Sequence, residues 1–278
     1  WDPGAFAAII KSRDEEVDTA LARELISVSK RPFVILGSVE AEYREQVCSF
    51  LKSLAAPVYA ESLSGLRGER EIEALCIKGG SSLISLCAPD LILRIGAVPV
   101  TSFWRNLERQ EKWQELPVLS FSSIPLPGLA RESLLLPLAA LSPSLMPEPK
   151  GFAAYASEVQ GLDACLTAEL SLLLSGLPRC EAALIRGLSS IIEKDALLYL
   201  GNSLPIRTWD LSADFKPDCR LYGANRGANG IDGQLSTFLG MCSEQRSNWC
   251  ILGDLTVLYD LAAPFLLREL PLQAKVRL

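Results

Sequence analysis

The chain contains no histidine, and that absence removes whole classes of chemistry. A Ser-His-Asp triad, a Cys-His pair and any histidine-ligated zinc or haem are excluded. Proton transfer must fall to carboxylates, Lys, Tyr, Cys or a cofactor. Eight cysteines are present, yet no two form a CxxC, so zinc-ribbon and redox-motif readings fail. Most sit in apolar runs such as Trp249-Cys250-Ile251, the pattern of buried free thiols in a reducing compartment. Basic charge is short as well: 27 Lys and Arg face 33 Asp and Glu, a net charge of −6. Such a chain repels phosphate backbones, so no nucleic-acid partner is expected. No uncharged apolar run reaches the roughly 18 residues of a membrane span. The nearest, Ser133 to Pro147, is interrupted by Pro137 and Pro143. Trp1-Asp2-Pro3 lacks the basic head and apolar core of a signal peptide. A soluble, cytoplasmic protein is expected.

What is present is an ordinary globular balance, 49% hydrophobic and 22% charged over 278 residues, enough for about two domains. Apolar periodicity predicts a helix over 15–29. Short apolar runs at 32–37, 57–60, 90–96, 116–121 and 133–136 read as buried strands, with a helix over 40–54 between the first two. This alternation predicts a doubly wound α/β domain over 30–141, after an N-terminal linker and helix at 1–29. Three prolines within Ser142–Gly151 cannot continue a helix or a central strand, and a linker is placed at 142–160. The alternation then restarts: helices at 162–174 and 181–193, strands at 196–201, 219–222 and 248–253, a helix at 255–270, and a last strand from Ala274. A second α/β domain is therefore expected over 161–278. The chain does not begin with Met and stops inside a predicted strand, so it is expected to be a piece of a longer protein.

In open α/β sheets, ligands bind outside the carboxyl ends of the strands. Three such ends in the second half carry unusual loops. The first is Gly201-Asn202-Ser203-Leu204-Pro205-Ile206-Arg207, in which Asn202 or Ser203 could simply cap the next helix. The second, Asn225-Arg226-Gly227-Ala228-Asn229-Gly230-Ile231-Asp232-Gly233, could be a flexible turn, but a bulky Ile231 among glycines suits an exposed turn poorly. It leads into a helix at Gln234 whose free N–H groups could hold an anion. The third, Gly253-Asp254-Leu255, follows an apolar strand directly. Asp254 there could cap a helix or offer a hard oxygen to a cation. Neither the Rossmann GxGxxG nor the Walker GxxxxGK(S/T) spacing occurs in these loops.

Taken together, GNSLPIR, NRGANGIDGQLST and ILGDLTVLYDL resemble the thiamine-diphosphate-dependent 2-succinyl-5-enolpyruvyl-6-hydroxy-3-cyclohexene-1-carboxylate synthases (the MenD family). The likeness in motifs covers about residues 196 to 278; the first domain is similar in architecture and in fragments such as Arg94-Ile95-Gly96-Ala97-Val98-Pro99. The resemblance implies two doubly wound parallel-sheet domains, the middle domain and part of the diphosphate-binding domain. It implies thiamine diphosphate with Mg2+ or Mn2+ as cofactors. The substrates would be 2-oxoglutarate, which is decarboxylated, and isochorismate, which takes the four-carbon unit in a 1,4-addition during menaquinone or phylloquinone synthesis. A homodimer or homotetramer is implied for the full-length enzyme, in the cytoplasm or a plastid.

By the same resemblance, Asp254 would ligate the metal, and Gly253 and Leu255 would border the diphosphate. Ile231, beside Gly230, would hold the cofactor in its bent form. Asn202, Ser203 and Leu204 would line its site. Arg207 and Arg226 would take substrate carboxylates, a task suited to the guanidinium fork. The activating glutamate and a last metal ligand would lie outside the chain, and the fragment alone is expected to be inactive. One departure concerns the first domain: Thr101 or Ser102 stands where the family places a basic residue, with Arg105 nearby. Two other readings stay open, another thiamine-diphosphate carboligase or decarboxylase, and a non-catalytic α/β module derived from one.

Overall fold

Short apolar runs bounded by glycine or proline become parallel strands because both of their faces are covered by helices. A computed structural model describes residues 19–146, 151–214, 220–226, 230–269 and 275–278. The chain divides into two units, the first ending at Leu166 and the second beginning at Thr167. The predicted helix over 15–29 is observed as α1 (Ala20–Val28), and its first positions lie outside the described residues. In the first unit β1 (Pro32–Leu36), α2 (Arg44–Leu54), β2 (Val58–Ala60), α3 (Ser82–Leu86), β3 (Leu91–Ile95), α4 (Ser102–Arg109), α5 (Glu111–Gln114), β4 (Val118–Ser122) and β5 (Leu134–Pro137) follow in order. The sheet order is β2-β1-β3-β4-β5, every pairing is parallel, and β1, β3 and β4 are buried along their whole length.

The strand order reverses between β1 and β3, the place where such sheets usually admit a ligand. Here the two loops close on each other. The Ala97 amide donates to the Ser38 carbonyl at 2.9 Å. A Cβ added at Gly96, which has φ +85°, would sit 2.3 Å from that same oxygen, so only glycine fits. The N-terminus of α4 is also filled from within. Glu61, 2% exposed, accepts from the amides of Val100 at 2.6 Å and Thr101 at 3.1 Å. Thr101 in turn caps α4, accepting from the Phe103 amide at 3.3 Å. Thr101 is thus used to start a helix.

A long helix, α6 (Ala153–Gly176), contains the division between the units. It starts inside the segment predicted as a linker and is longer than the expected 162–174. Its alanine content carries the helix past the point where apolar periodicity fades. In the second unit α7 (Glu181–Ile191), β6 (Leu197–Leu200), α8 (Leu204–Ser212), β7 (Leu221–Gly223), α9 (Gln234–Met241), β8 (Ser247–Ile251), α10 (Asp254–Tyr259) and β9 (Lys275–Arg277) follow. The sheet order is β7-β6-β8-β9, again all parallel. The single helix expected over 255–270 is two pieces, α10 and a 3-10 segment at Ala263–Arg268. Pro264 supplies the reason, since it cannot continue an α-helical hydrogen-bond ladder. Both sheets are doubly wound and parallel, as the alternation of elements predicts. Among the described residues no helix is long and apolar enough to cross a membrane.

Of the cysteines, Cys48, Cys76, Cys87 and Cys250 are buried, Cys180 and Cys242 are half-buried, and Cys165 is exposed; Cys219 lies outside the described residues. Burial pushes the Cys48 and Cys87 thiols up to about 11 and Cys76 to about 12, so the thiolate is scarce at neutral pH.

Two outcomes are expected. Thiol labelling at pH 7.5, mapped by peptide mass, modifies Cys165 first and leaves Cys48, Cys76 and Cys87 unmodified until denaturant is added. Early labelling of Cys76 contradicts the packing described. Glu61→Ala strands two buried amides and lowers stability by about 2–4 kcal/mol, read as a fall in the urea midpoint; an unchanged midpoint contradicts the capping role.

Candidate site at the strand ends of the second unit

Strand β6 is a run of four buried residues, and the chain turns sharply at its end. The Gly201 amide donates to the Ile251 carbonyl of β8 at 2.8 Å. A Cβ at Gly201 would lie 2.8 Å from the Leu252 side chain and 3.1 Å from the Ile251 carbonyl. Glycine therefore lets the β6 and β8 ends approach. Two residues on, Ser203 has φ +75° and ψ −120°, a region that costs a non-glycine residue on the order of 1–3 kcal/mol. Ser203 occupies the N-cap position of α8, but its side chain makes no capping bond. Ser203, Leu204 and Arg207 are all exposed, while Asn202 is 3% exposed.

The buried Asn202 is where the first two loops meet. Its backbone N–H donates to Gln234 Oε1 at 2.9 Å. Its Nδ2 donates to the Gly230 carbonyl at 2.8 Å, and its Oδ1 accepts from Arg226 Nη1 at 2.8 Å. Gln234 Nε2 donates to that same Gly230 carbonyl at 2.7 Å. The second loop is held at its start too: the Asn225 amide donates to the Tyr199 hydroxyl at 3.2 Å, and Asn225 Nδ2 donates to Thr237 Oγ1 at 3.1 Å. Burial raises the Tyr199 phenol to about 12, so it stays protonated. Ile231 is half-buried beside the exposed Gly230 and Asp232. Gly233, with φ +67°, is the N-cap of α9, as the entry into a helix at Gln234 predicts.

The third loop is tied in at its far side. Asp260, just after α10, accepts from the Ser236 amide at 2.7 Å and the Ser236 hydroxyl at 2.9 Å, which fastens it to the first turn of α9. The N-cap position of α10 falls to Gly253 rather than Asp254. Asp254 and Leu255 are exposed, and Asp254 Oδ1 accepts from the Leu255 amide at 2.8 Å. A Cβ at Gly253 would have its nearest neighbour, Thr256 Oγ1, at 3.6 Å, so the approach to this turn is open. Among the described residues no group of three or more Cys, Asp or Glu side chains is placed to hold a metal ion, and Asp254 is the single carboxylate the third motif contributes to its strand end.

Asn202, Arg226 and Gly230 are thus brought into direct contact, and Ser203 and Leu204 stand on the adjoining turn. Gly253, Asp254 and Leu255 share the third loop, and the bonds described for them are local. Sequence reasoning did not single out Gln234, Tyr199, Thr237 or Asp260. A tyrosine inside an otherwise all-leucine strand, two residues before Gly201, was the available signal for Tyr199. Gln234 left none, because a polar residue at a helix start reads as exposed, whereas it is fully buried.

No protein-family model matches the chain. Over 249 residues it is 39% identical to the 2-succinyl-5-enolpyruvyl-6-hydroxy-3-cyclohexene-1-carboxylate synthase of Bdellovibrio bacteriovorus, covering 86% of this chain and 45% of that one. The chain is similar to just under half of this synthase. The synthase of the same name from Akkermansia muciniphila is 33% identical over 284 residues, 97% of this chain and 51% of that one. The chain spans about half the length of the family members it matches. In fold it is similar to an enzyme from Mycobacterium smegmatis described as thiamin diphosphate-dependent, with a TM-score of 0.58, 18% identity, and coverage of 90% of this chain and 51% of that one.

The strained turn gives a direct test. Ser203→Gly is expected to be at least as stable as the parent chain, because glycine adopts this conformation at no steric cost. Ser203→Val is expected to lose about 1–3 kcal/mol. Thermal unfolding of both variants checks this; a Gly variant less stable than the Val variant contradicts the strain.

Proposed function

We propose that this chain carries part of a thiamine-diphosphate-dependent transferase that removes CO2 from 2-oxoglutarate and adds the four-carbon remainder to isochorismate. The observation that carries the reading is the joining of Asn202, Arg226 and Gly230 by hydrogen bonds at the strand ends, in a chain similar to these synthases. The donor set fits the cofactor. An exposed carboxylate at Asp254 and an open turn at Gly253 suit a hard cation and a diphosphate. A half-buried branched side chain at Ile231 suits an apolar ring system. Asn202, Ser203, Leu204, Gly230, Ile231, Gly253 and Leu255 would border the cofactor, and Asp254 would ligate Mg2+ or Mn2+. When bound, thiamine diphosphate supplies the electron sink that makes loss of CO2 from a 2-oxo acid possible.

The chain's own part is to bind and orient. Both substrates carry two carboxylates, and two arginines answer them. Arg207 is exposed on the first turn of α8, which begins beside Asn202 and Ser203. Arg226 Nη1 donates to Asn202 Oδ1 at 2.8 Å, which supports a role for its guanidinium beside the same loop. Guanidinium groups stay charged throughout the physiological range and can grip a carboxylate with two parallel bonds. Because the chain lacks histidine, it offers no imidazole as acid or base here. A homodimer or homotetramer of the complete protein, located in the cytoplasm or a plastid, belongs to the same reading.

The test is calorimetric titration of thiamine diphosphate with Mg2+ into the protein expressed from its complete reading frame. Saturable binding that Asp254→Ala abolishes is the expected result. Absence of binding to the unsubstituted protein overturns the reading, and binding unaffected by Asp254→Ala overturns the assignment of the metal to that residue.

A further inference from the structure

One fully buried polar side chain beside the candidate site is not called on by the proposed chemistry. Gln234 has no exposed surface, and both ends of its amide are used. Its Oε1 accepts from the Asn202 amide at 2.9 Å, and its Nε2 donates to the Gly230 carbonyl at 2.7 Å. A buried primary amide is costly unless it is bonded in this way. The expense is unnecessary for packing, since the neighbouring Leu235, Phe238 and Leu239 fill the core of α9 with apolar side chains.

The consequence lies in Asn202. The Gly230 carbonyl has two acceptor directions, and it receives N–H groups from both Gln234 and Asn202. Were the Asn202 amide rotated by half a turn, its oxygen would face the Gly230 carbonyl oxygen and its NH2 would face the Arg226 guanidinium, which has donors alone. One orientation survives, with Oδ1 turned towards Arg226 Nη1 at 2.8 Å. Gln234 holds both the backbone of Asn202 and the carbonyl that selects this orientation.

We infer that Gln234 is a positioning residue. It fixes the Asn202 amide and, through it, the Arg226 guanidinium, and so sets the affinity of the site for a substrate carboxylate. This inference rests on the reading of Arg226 as a carboxylate-binding residue and extends it by one layer.

The test is a double-substitution cycle in the protein from its complete reading frame, loaded with thiamine diphosphate and Mg2+. Glutarate, a dicarboxylate that has no 2-oxo group and cannot react, serves as the probe in calorimetry. Gln234→Met is expected to weaken glutarate binding about tenfold, the scale of a lost contact to a charged group. Arg226→Ala weakens it at least as much, and the doubly substituted protein binds no more weakly than Arg226→Ala alone. If the two effects add, or if Gln234→Met binds glutarate as the unsubstituted protein does, the inference is overturned while the role of Arg226 stands. If Arg226→Ala leaves glutarate binding unchanged, the reading of Arg226 itself fails. Should Gln234→Met fail to fold, Gln234→Glu replaces it in the same cycle. That side chain has the same size and can still accept from the Asn202 amide, but in its ionised form it has no N–H for Gly230. A wild-type Kd for the Glu variant overturns the inference equally.

Discussion

The second unit depends on the way one carbonyl, that of Gly230, collects two amide donors. A glycine-rich loop has little intrinsic reason to keep one conformation, because glycine loses more freedom on ordering than any other residue. The Asn202 and Gln234 side chains supply the missing constraint from two sides. Asn202 comes from the end of β6 and Gln234 from the first turn of α9, so Gly230 is held between elements fixed by the sheet. Arg226 then inherits a defined partner.

Rigidity elsewhere follows the same logic of internal satisfaction. In the first unit the crevice between β1 and β3 is closed by the Ala97–Ser38 bond, and the start of α4 is filled by Glu61. That unit thus meets its own polar needs at the places where a doubly wound sheet would otherwise present them to a ligand. In the second unit the corresponding turn after β6 is left strained at Ser203 and open to solvent. Such strain persists only where the surrounding structure over-determines the turn.

Much of the fold could be read from the chain itself. Pro32–Leu36 and Leu197–Leu200 are apolar on both faces and each is followed directly by glycine, a pattern that suits a buried parallel strand. Local composition could not fix the length of α6 or the break at Pro264, since alanine-rich and proline-containing segments each admit more than one helical continuation. The candidate loops were legible because glycine beside an arginine, an asparagine or an aspartate at a strand end is chemically conspicuous. Gln234 and Asp260 were not, because their importance comes from partners 32 and 24 residues away, and a single sequence carries no mark of such pairings. Thr101 shows the opposite case: its local role, capping α4, is one that a threonine ahead of a helix makes readable.

The central claim is that the loops after β6, β7 and β8 form one site whose metal end is Asp254. The most direct measurement is a crystal structure of the protein from its complete reading frame, grown with thiamine diphosphate and Mn2+ and analysed for anomalous scattering. The account predicts a manganese peak bonded to an Asp254 carboxylate oxygen, with density for the cofactor ring against Ile231. A manganese peak bonded elsewhere, with no cofactor density between Asn202 and Gly253, would contradict it.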